Sequence, residues 1–350
     1  MKVGVILDDF SYYNFSPEFQ AIKISSKNFM NDIKNIDMLF VESAWAGNNN
    51  QWRLVIGPNN RWVDGAINSI INVCKKRGIP TVFWNKEDPV HFKNFLWLAK
   101  KFDFVFTTDD GSINKYRSAL KHNRIYALPF AAQPMYQYPS VLSGRNKNPC
   151  FAGTYWNKQH LHRKKQMECV LKPCIPYGLH IYDRKKVGGA GNSFPGPYDK
   201  CVVGGVPFLE LMNKYRNYRF FVNVNIVTNS NTMFSRRVFE IASCGTPILS
   251  YPSLGMKRVF GDSIVFSDSE EKSREYIRNI LSNDAYWEEL SIKGIKVVYG
   301  KNTYSHRFDR ICRIVGVRTP DVVTRRIELY DRVMKCNSVS EASLLMREIL

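Results

Sequence analysis

Short apolar runs alternate with stretches of helical periodicity twice over in this chain, and a polar, proline-containing segment separates the two series. In the first series Val3–Leu7 runs into Asp8-Asp9, and Asp37–Glu42, Thr81–Trp84, Phe104–Thr107 and Arg124–Leu128 follow as further strand-like runs. Between the second and third, Val63, Ala66, Ile67, Ile70, Ile71 and Cys74 recur at helical spacing, and Gly78 follows as a stop. Strands that alternate with helices predict a parallel sheet with helices on its faces. Residues 133–148 carry Pro134, Pro139 and Gly144 without periodicity and read as a linker.

The second series predicts strands at Cys150–Gly153, Gly178–Tyr182, Phe220–Val224 and Pro247–Ser250, with a shorter one at Ile264–Phe266. It predicts helices at Lys158–Leu171, Phe208–Lys214, Arg236–Cys244, Ser273–Ser282 and Ala285–Val298, and a helical tail from Asp321. The expected division is 1–135, a linker at 136–149, a second domain at 150–315 and a tail at 316–350. Two α/β halves so joined predict an α/β enzyme of two Rossmann-like domains facing each other across a ligand-binding cleft.

Composition sets the class. A chain of 350 residues suits two cores, and 44% hydrophobic residues can fill them. No secretory signal and no apolar run of transmembrane length occurs. The eight cysteines are scattered without a CxxC pair, so the chain is expected to be cytoplasmic with reduced thiols and no structural zinc. The net charge of +19 points to polyanionic partners, whether nucleotide phosphates, nucleic acid or the anionic inner face of a membrane. A lysine-rich solvated surface is the plainer reading of the same number. No block of five like charges forms a basic tail.

Chemistry concentrates at Ser235–Ser250. Ser235 suits a helix start, Arg236 and Arg237 follow, Glu240 lies one turn on, and Ala242, Ser243 and Gly245 precede Thr246-Pro247 and a strand. An arginine at a helix start suits a phosphate, and a carboxylate can accept both hydroxyls of a ribose. The plainer reading is an amphipathic helix with exposed charges. The stretch resembles the donor-binding signature R-x-x-E-x-x-x-x-G-x-P of GT-B glycosyltransferases, the CgeB-like spore-maturation and capsule-cluster group above all. That resemblance implies that Glu240 holds the ribose of a nucleotide sugar and that Arg237, or Arg236, faces its diphosphate, with Gly245 and Thr246 as further donor-binding residues. Many retaining members carry an acid eight positions before the glutamate, where this chain has Thr232. Stereochemistry therefore stays open.

Phe151-Ala152-Gly153-Thr154-Tyr155 reads as strand and glycine turn, followed by Lys158, His160, His162, Arg163, Lys164 and Lys165. Gly153 admits close backbone approach and Thr154 can donate to a phosphate. The motif is similar to the F-x-G-[ST]-[YF] opening of the C-terminal domain in the same group. Lys164 and Lys165 read as a solvated helix face. Tyr182 ends a strand whose turn lies against the nucleobase in GT-B enzymes. The Gly188–Asn192 loop lacks the ending of a phosphate loop.

In the first half, Val41–Asn48 and Phe83–Phe92 are loops at carboxyl ends of strands, where open α/β sheets bind ligands. They resemble the CgeB-like N-terminal domain, as do Thr107–Asp109 and Leu128–Ala131. An inverting transfer needs a base, and Glu87, Asp88 and His91 are candidates, with Glu42 next. Glu87-Asp88 before Pro89 also reads as a helix cap. GT-B enzymes usually need no metal, so Asp8-Asp9 and Asp109-Asp110 are not expected to be metal sites, and no cofactor is expected beyond the nucleotide-sugar donor.

Three functions compete. The first is transfer of a sugar, a UDP-sugar by expectation, to a glycan or glycolipid acceptor, as the resemblance implies. The second is a DNA-modifying glucosyltransferase, since phage enzymes of that kind share the fold, a similar arginine-then-glutamate signature and a basic charge. The third is a non-catalytic nucleotide-binding protein, which Thr232 would suit.

Overall fold

The computed structural model describes residues 1–52, 61–155, 161–189 and 193–348, with the backbone alone at 61–64 and at Gly188. The chain forms two compact units: Met1–Phe130 with Ser230–Met233 and Tyr304–Ile327, and Ala131–Asn229 with Phe234–Thr303 and Glu328–Leu350.

The first unit is a six-stranded sheet in the order β2-β1-β3-β4-β5-β6. Its strands are β1 (Lys2–Ile6), β2 (Gln20–Lys23), β3 (Met38–Glu42), β4 (Thr81–Asn85), β5 (Phe104–Thr107) and β6 (Ile125–Ala127). All pair in parallel. Helices α1 (Asp9–Phe15), α2 (Phe29–Asp32), α3 (Arg61–Lys76), α4 (Phe92–Ala99) and α5 (Ile113–Leu120) connect them. The sequence signalled β3 and β4 because both are buried along their whole length, as strands covered on two faces must be. Ile67, Ile70, Ile71 and Cys74 of α3 pack into this core with Leu39, Val41 and Phe83; the expected Val63 contact lies outside the described side chains.

The second unit is also six-stranded and parallel, in the order β12-β11-β10-β7-β8-β9. Its strands are β7 (Cys150–Gly153), β8 (His180–Asp183), β9 (Val202–Gly204), β10 (Phe221–Asn223), β11 (Ile248–Ser250) and β12 (Val265–Phe266). Its helices are α6 (His162–Val170), α7 (Phe208–Lys214), α8 (Arg237–Ser243), α9 (Leu254–Phe260), α10 (Glu270–Ser282) and α11 (Asp284–Lys301). Then come α12 (Tyr304–Val315), which returns to the first unit, α13 (Asp321–Val333) and α14 (Val339–Arg347).

Two strands went unread in the sequence, β2 and β9. Neither is a buried run: β2 is at most half-buried, and β9 has three residues. The start of the helix expected from Lys158, with His160, lies outside the described residues, as do residues 190–192 of the glycine loop. The stretch expected as a linker lies in the second unit, where buried Arg145 donates to the carbonyls of Val141, Tyr218 and Cys244.

Candidate functional site

In the second unit the chain builds β7, β8 and β9 outward in one direction, then returns to place β10 on the other side of β7. The crevice beyond the carboxyl ends of β7 and β10 is where such a sheet binds ligands. Gly153 and Thr154 leave β7 there. A Cβ on Gly153 would lie 2.8 Å from the Phe151 ring and 3.8 Å from Arg237 Nη2, so this position needs a glycine and brings the backbone against that guanidinium.

A chain of hydrogen bonds through side-chain amides holds the backbone just before Arg237. Gln166 of α6 exchanges two hydrogen bonds with the backbone of Asn225, at 2.9 Å each. The Asn225 side chain in turn accepts from the Ser235 amide at 2.9 Å, just before α8 begins. Among the described residues, no hydrogen bond or ion pair engages Arg237. Burial lowers its proton affinity, and Arg236 and Arg184 add to that, opposed by Tyr215 and Glu240. Arg163 donates from Nη1 to the Thr154 carbonyl at 3.2 Å, while its buried Nε has no partner. Burial, and then Arg237, pull the Arg163 guanidinium down to about 10. Mutually repelling guanidiniums with no ion pair among the described residues form a ready anion site.

Glu240 is fully buried. Tyr215 donates to its Oε2 at 3.0 Å and Arg236 to its Oε1. The Arg236 guanidinium also lies over the Phe208 ring, 4.7 Å from its centre. A ribose would therefore compete with Arg236 for this carboxylate. Tyr182, half-buried at the end of β8, shares a hydrogen bond of 2.8 Å with the Tyr218 hydroxyl, and the Lys214 ammonium lies 5.9 Å from its ring centre. Beside it Asp183 accepts from the amides of Lys185 and Ser193, and the Ser193 hydroxyl accepts from the Tyr155 amide at 3.3 Å. The Tyr155 ring packs inward beside Phe194 and Tyr198.

Two expected donor contacts are corrected. Gly245 and Thr246 follow α8 and precede β11, so they sit at the opposite end of that helix from Arg237. Gly245 takes the left-handed turn at φ +63° against Ile295, and the Thr246 hydroxyl donates to the Tyr215 carbonyl at 2.7 Å. Both stabilise the helix end. Arg163, Arg184 and Tyr215 are the residues the sequence reading left unassigned. Arg163 was detectable: with Gln166, Met167 and Val170 it forms the buried stripe of α6, whereas Lys164 and Lys165 are exposed as expected.

In the first unit the order reverses between β1 and β3. Asp8 and Glu42 stand at those two strand ends, with Lys86 between their carboxylates at 2.5 and 3.0 Å. Asp8 also accepts from the amides of Trp45, Ala46 and Gly47 at 3.1, 2.9 and 2.9 Å. Burial alone would raise Asp8, but Lys86 and these amides hold it below the ordinary carboxylate range. Burial raises Glu42 to about 7, with Lys86 opposing and Asp8 adding.

The four base candidates separate by exposure. Glu42 and Asp88 are fully buried, so neither stands where an acceptor could touch it. Asp88 accepts from Asn85 at 2.9 Å and from Thr107 at 2.6 Å, and burial lifts it to about 7. It does not cap a helix: α4 begins at Phe92, with His91 at the cap position and no side-chain cap bond. Glu87 and His91 are half-buried and reach the surface. Thr232 donates to the Thr108 carbonyl at 2.8 Å and accepts from the Asp110 amide at 2.9 Å. Among the described residues no cluster of three histidines, cysteines or acids could hold a metal ion. No described helix is long and apolar enough to cross a membrane.

Residues 177–313 match the family model of glycosyl transferase-like domains. The matched stretch lies almost wholly in the second unit, and two Rossmann-like units make the fold one of the GT-B type. No curated protein sequence matches it. Among solved structures, one of T4 phage BGT in complex with UDP and Mn2+ aligns over 91% of this chain and 100% of its own, at 11% identity and a TM-score of 0.57. A second T4 phage β-glucosyltransferase structure aligns over 91% and 100%, at 13% identity and 0.54. The N-terminal domain of Candida albicans trehalose-6-phosphate phosphatase aligns over 90% and 96%, at 10% identity and 0.50. At these identities the likeness is one of fold.

Proposed function

We propose that the chain transfers a sugar from a nucleoside-diphosphate donor, a UDP-sugar by preference, to a hydroxyl of a glycan or glycolipid acceptor. The observation that carries this reading is Arg237: a guanidinium without a partner among the described residues, held against Gly153 at the switch point of the second sheet. Arg237 and Arg163 take the diphosphate, joined by Arg236 once a ribose displaces it from Glu240. Their positive charge neutralises the leaving group, so the donor site asks for no metal ion. Tyr182 lies against the base.

The T4 phage structure that holds UDP supports the choice of nucleotide. The Phe151–Tyr155 and Arg237–Glu240 motifs support kinship with the CgeB-like group. The acceptor proton goes to Glu87 or His91, the two candidates that reach the surface. We place the protein in the cytoplasm, in peripheral contact with the inner face of the membrane through its positive charge.

A DNA acceptor is the second reading, which the net charge of +19 and the likeness to T4 phage BGT favour. A thermal-shift screen against nucleotide sugars tests the main one. A true donor at one hundred times its dissociation constant stabilises by about 2.7 kcal/mol. Release of free sugar from that donor then shows catalysis. Stabilisation by none of the panel removes the reading, and stabilisation without turnover would make the chain a nucleotide-binding protein.

A further inference from the structure

The loop that leaves β3 holds a tryptophan in water on a fixed backbone. Trp45 is 46% exposed, although the residues around it are tied down tightly. Its own amide and those of Ala46 and Gly47 donate to Asp8. Asn48 accepts from the Leu7 amide at 3.2 Å and donates to the carbonyls of Val5 and Ile24 at 2.7 and 2.9 Å. Gly47, Asn48, Asn49 and Asn50 all take positive φ, between 43° and 66°. Buried Trp52 anchors the far side by donating to Ile24 at 2.8 Å. A backbone held in that conformation by buried bonds costs free energy, and it fixes the exposed indole of Trp45.

Among the described residues, two other rings border that indole. His91 and Phe95 meet it edge-on, at 5.2 and 5.3 Å between ring centres, and neither stacks on it. The exposed amides of Asn49 and Asn50 follow on the same loop. An exposed indole face with amide groups beside it fits the apolar face and hydroxyl edge of a sugar ring.

Local charge narrows the choice further. Beyond the ends of β1, β3, β4 and β5 the acids Asp8, Asp9, Glu87 and Asp110 reach the surface, while Lys86 beside them is buried and ion-paired; Lys23, at the end of β2, donates to Asn49 of the loop. A chain of net charge +19 has thus collected acids at this edge. A phosphate backbone seeks the opposite charge.

We propose that Trp45 is the acceptor platform of this enzyme, and that it seats an uncharged sugar ring, not nucleic acid. The inference rests on the donor reading above, and the test separates the two. The indole N–H resonance of Trp45, assigned with Trp45→Phe, is followed by NMR during titration. The probes are methyl β-D-glucopyranoside, methyl β-D-galactopyranoside and a short DNA duplex at physiological salt, with UDP titrated into a separate aliquot.

At least one glycoside should move the resonance saturably. Trp45→Ala should weaken that binding about tenfold and Trp45→Phe less, with UDP affinity unchanged in both. A response to the duplex, or to neither glycoside, overturns the proposal. UDP binding without a glycoside response defeats the acceptor assignment alone. A glycoside response without UDP binding defeats the donor reading alone.

Discussion

Arg237 and Glu240 lie one turn apart on α8 and are asked to do different things. Charge on the departing diphosphate grows in the transition state, so Arg237→Ala should lower kcat more than it raises the donor KM. A rise in KM alone would make its contribution uniform binding. Glu240→Ala should weaken nucleotide binding by about 1–3 kcal/mol, the scale of lost charge-assisted hydrogen bonds. Unchanged affinity with an intact fold removes Glu240 from the site. Asp88 carries a prediction of a different kind. Its folded value of about 7 lies above the ordinary 3.8, so folding takes up a proton between those limits. Stability contributed by this group is therefore present at low pH and lost as pH rises toward 7. Asp88→Asn should flatten that part of the curve of melting temperature against pH. An unaltered slope would show that Asp88 titrates normally.

At the scale of elements, the Trp45 loop depends on Asn48, whose side chain stitches β1, β2 and the turn together. Asn48→Ala leaves the buried Leu7 amide without its acceptor, while the Val5 and Ile24 carbonyls keep bonds from the Ile24 amide and Trp52, and should cost about 1–3 kcal/mol in denaturant unfolding. A loss below about 1 kcal/mol would mean that water replaces the lost acceptor. The same elements show what the sequence disclosed. Buried parallel strands such as Met38–Glu42 and Thr81–Asn85 are unbroken apolar runs, and were readable for that reason. Edge strands β2 and β9 bury less and left no run to read. The motif at Arg237 was legible because residues of one site lie close in sequence there. Tyr215 on Glu240 and Lys86 between Asp8 and Glu42 were not, because contacts across 25, 78 and 44 positions leave no local pattern. Gly245 and Thr246 misled for the converse reason: adjacency in a motif does not place residues at the same end of a helix.

Across the whole molecule, the chain is not partitioned in sequence order. Residues 304–327 return to the first unit, where Tyr304 meets Phe15 at 4.7 Å between ring centres and Ser305 donates to buried Glu18 at 2.8 Å. Arg326 pairs with the same carboxylate at 3.2 Å. Glu18→Ala leaves Arg326 without its ion-pair partner and should lower the stability of that unit by about 2–4 kcal/mol. A chain unaffected in thermal unfolding would make the return of the C-terminal segment incidental. The central claim is that the second unit is a nucleoside-diphosphate site built on Arg237. Calorimetric titration of UDP into the wild-type chain and into Arg237→Ala, each checked for an intact fold, tests it most directly. The account predicts saturable binding to the wild type, weakened at least about tenfold in the variant. Absent binding in the wild type, or equal binding in both, would contradict it.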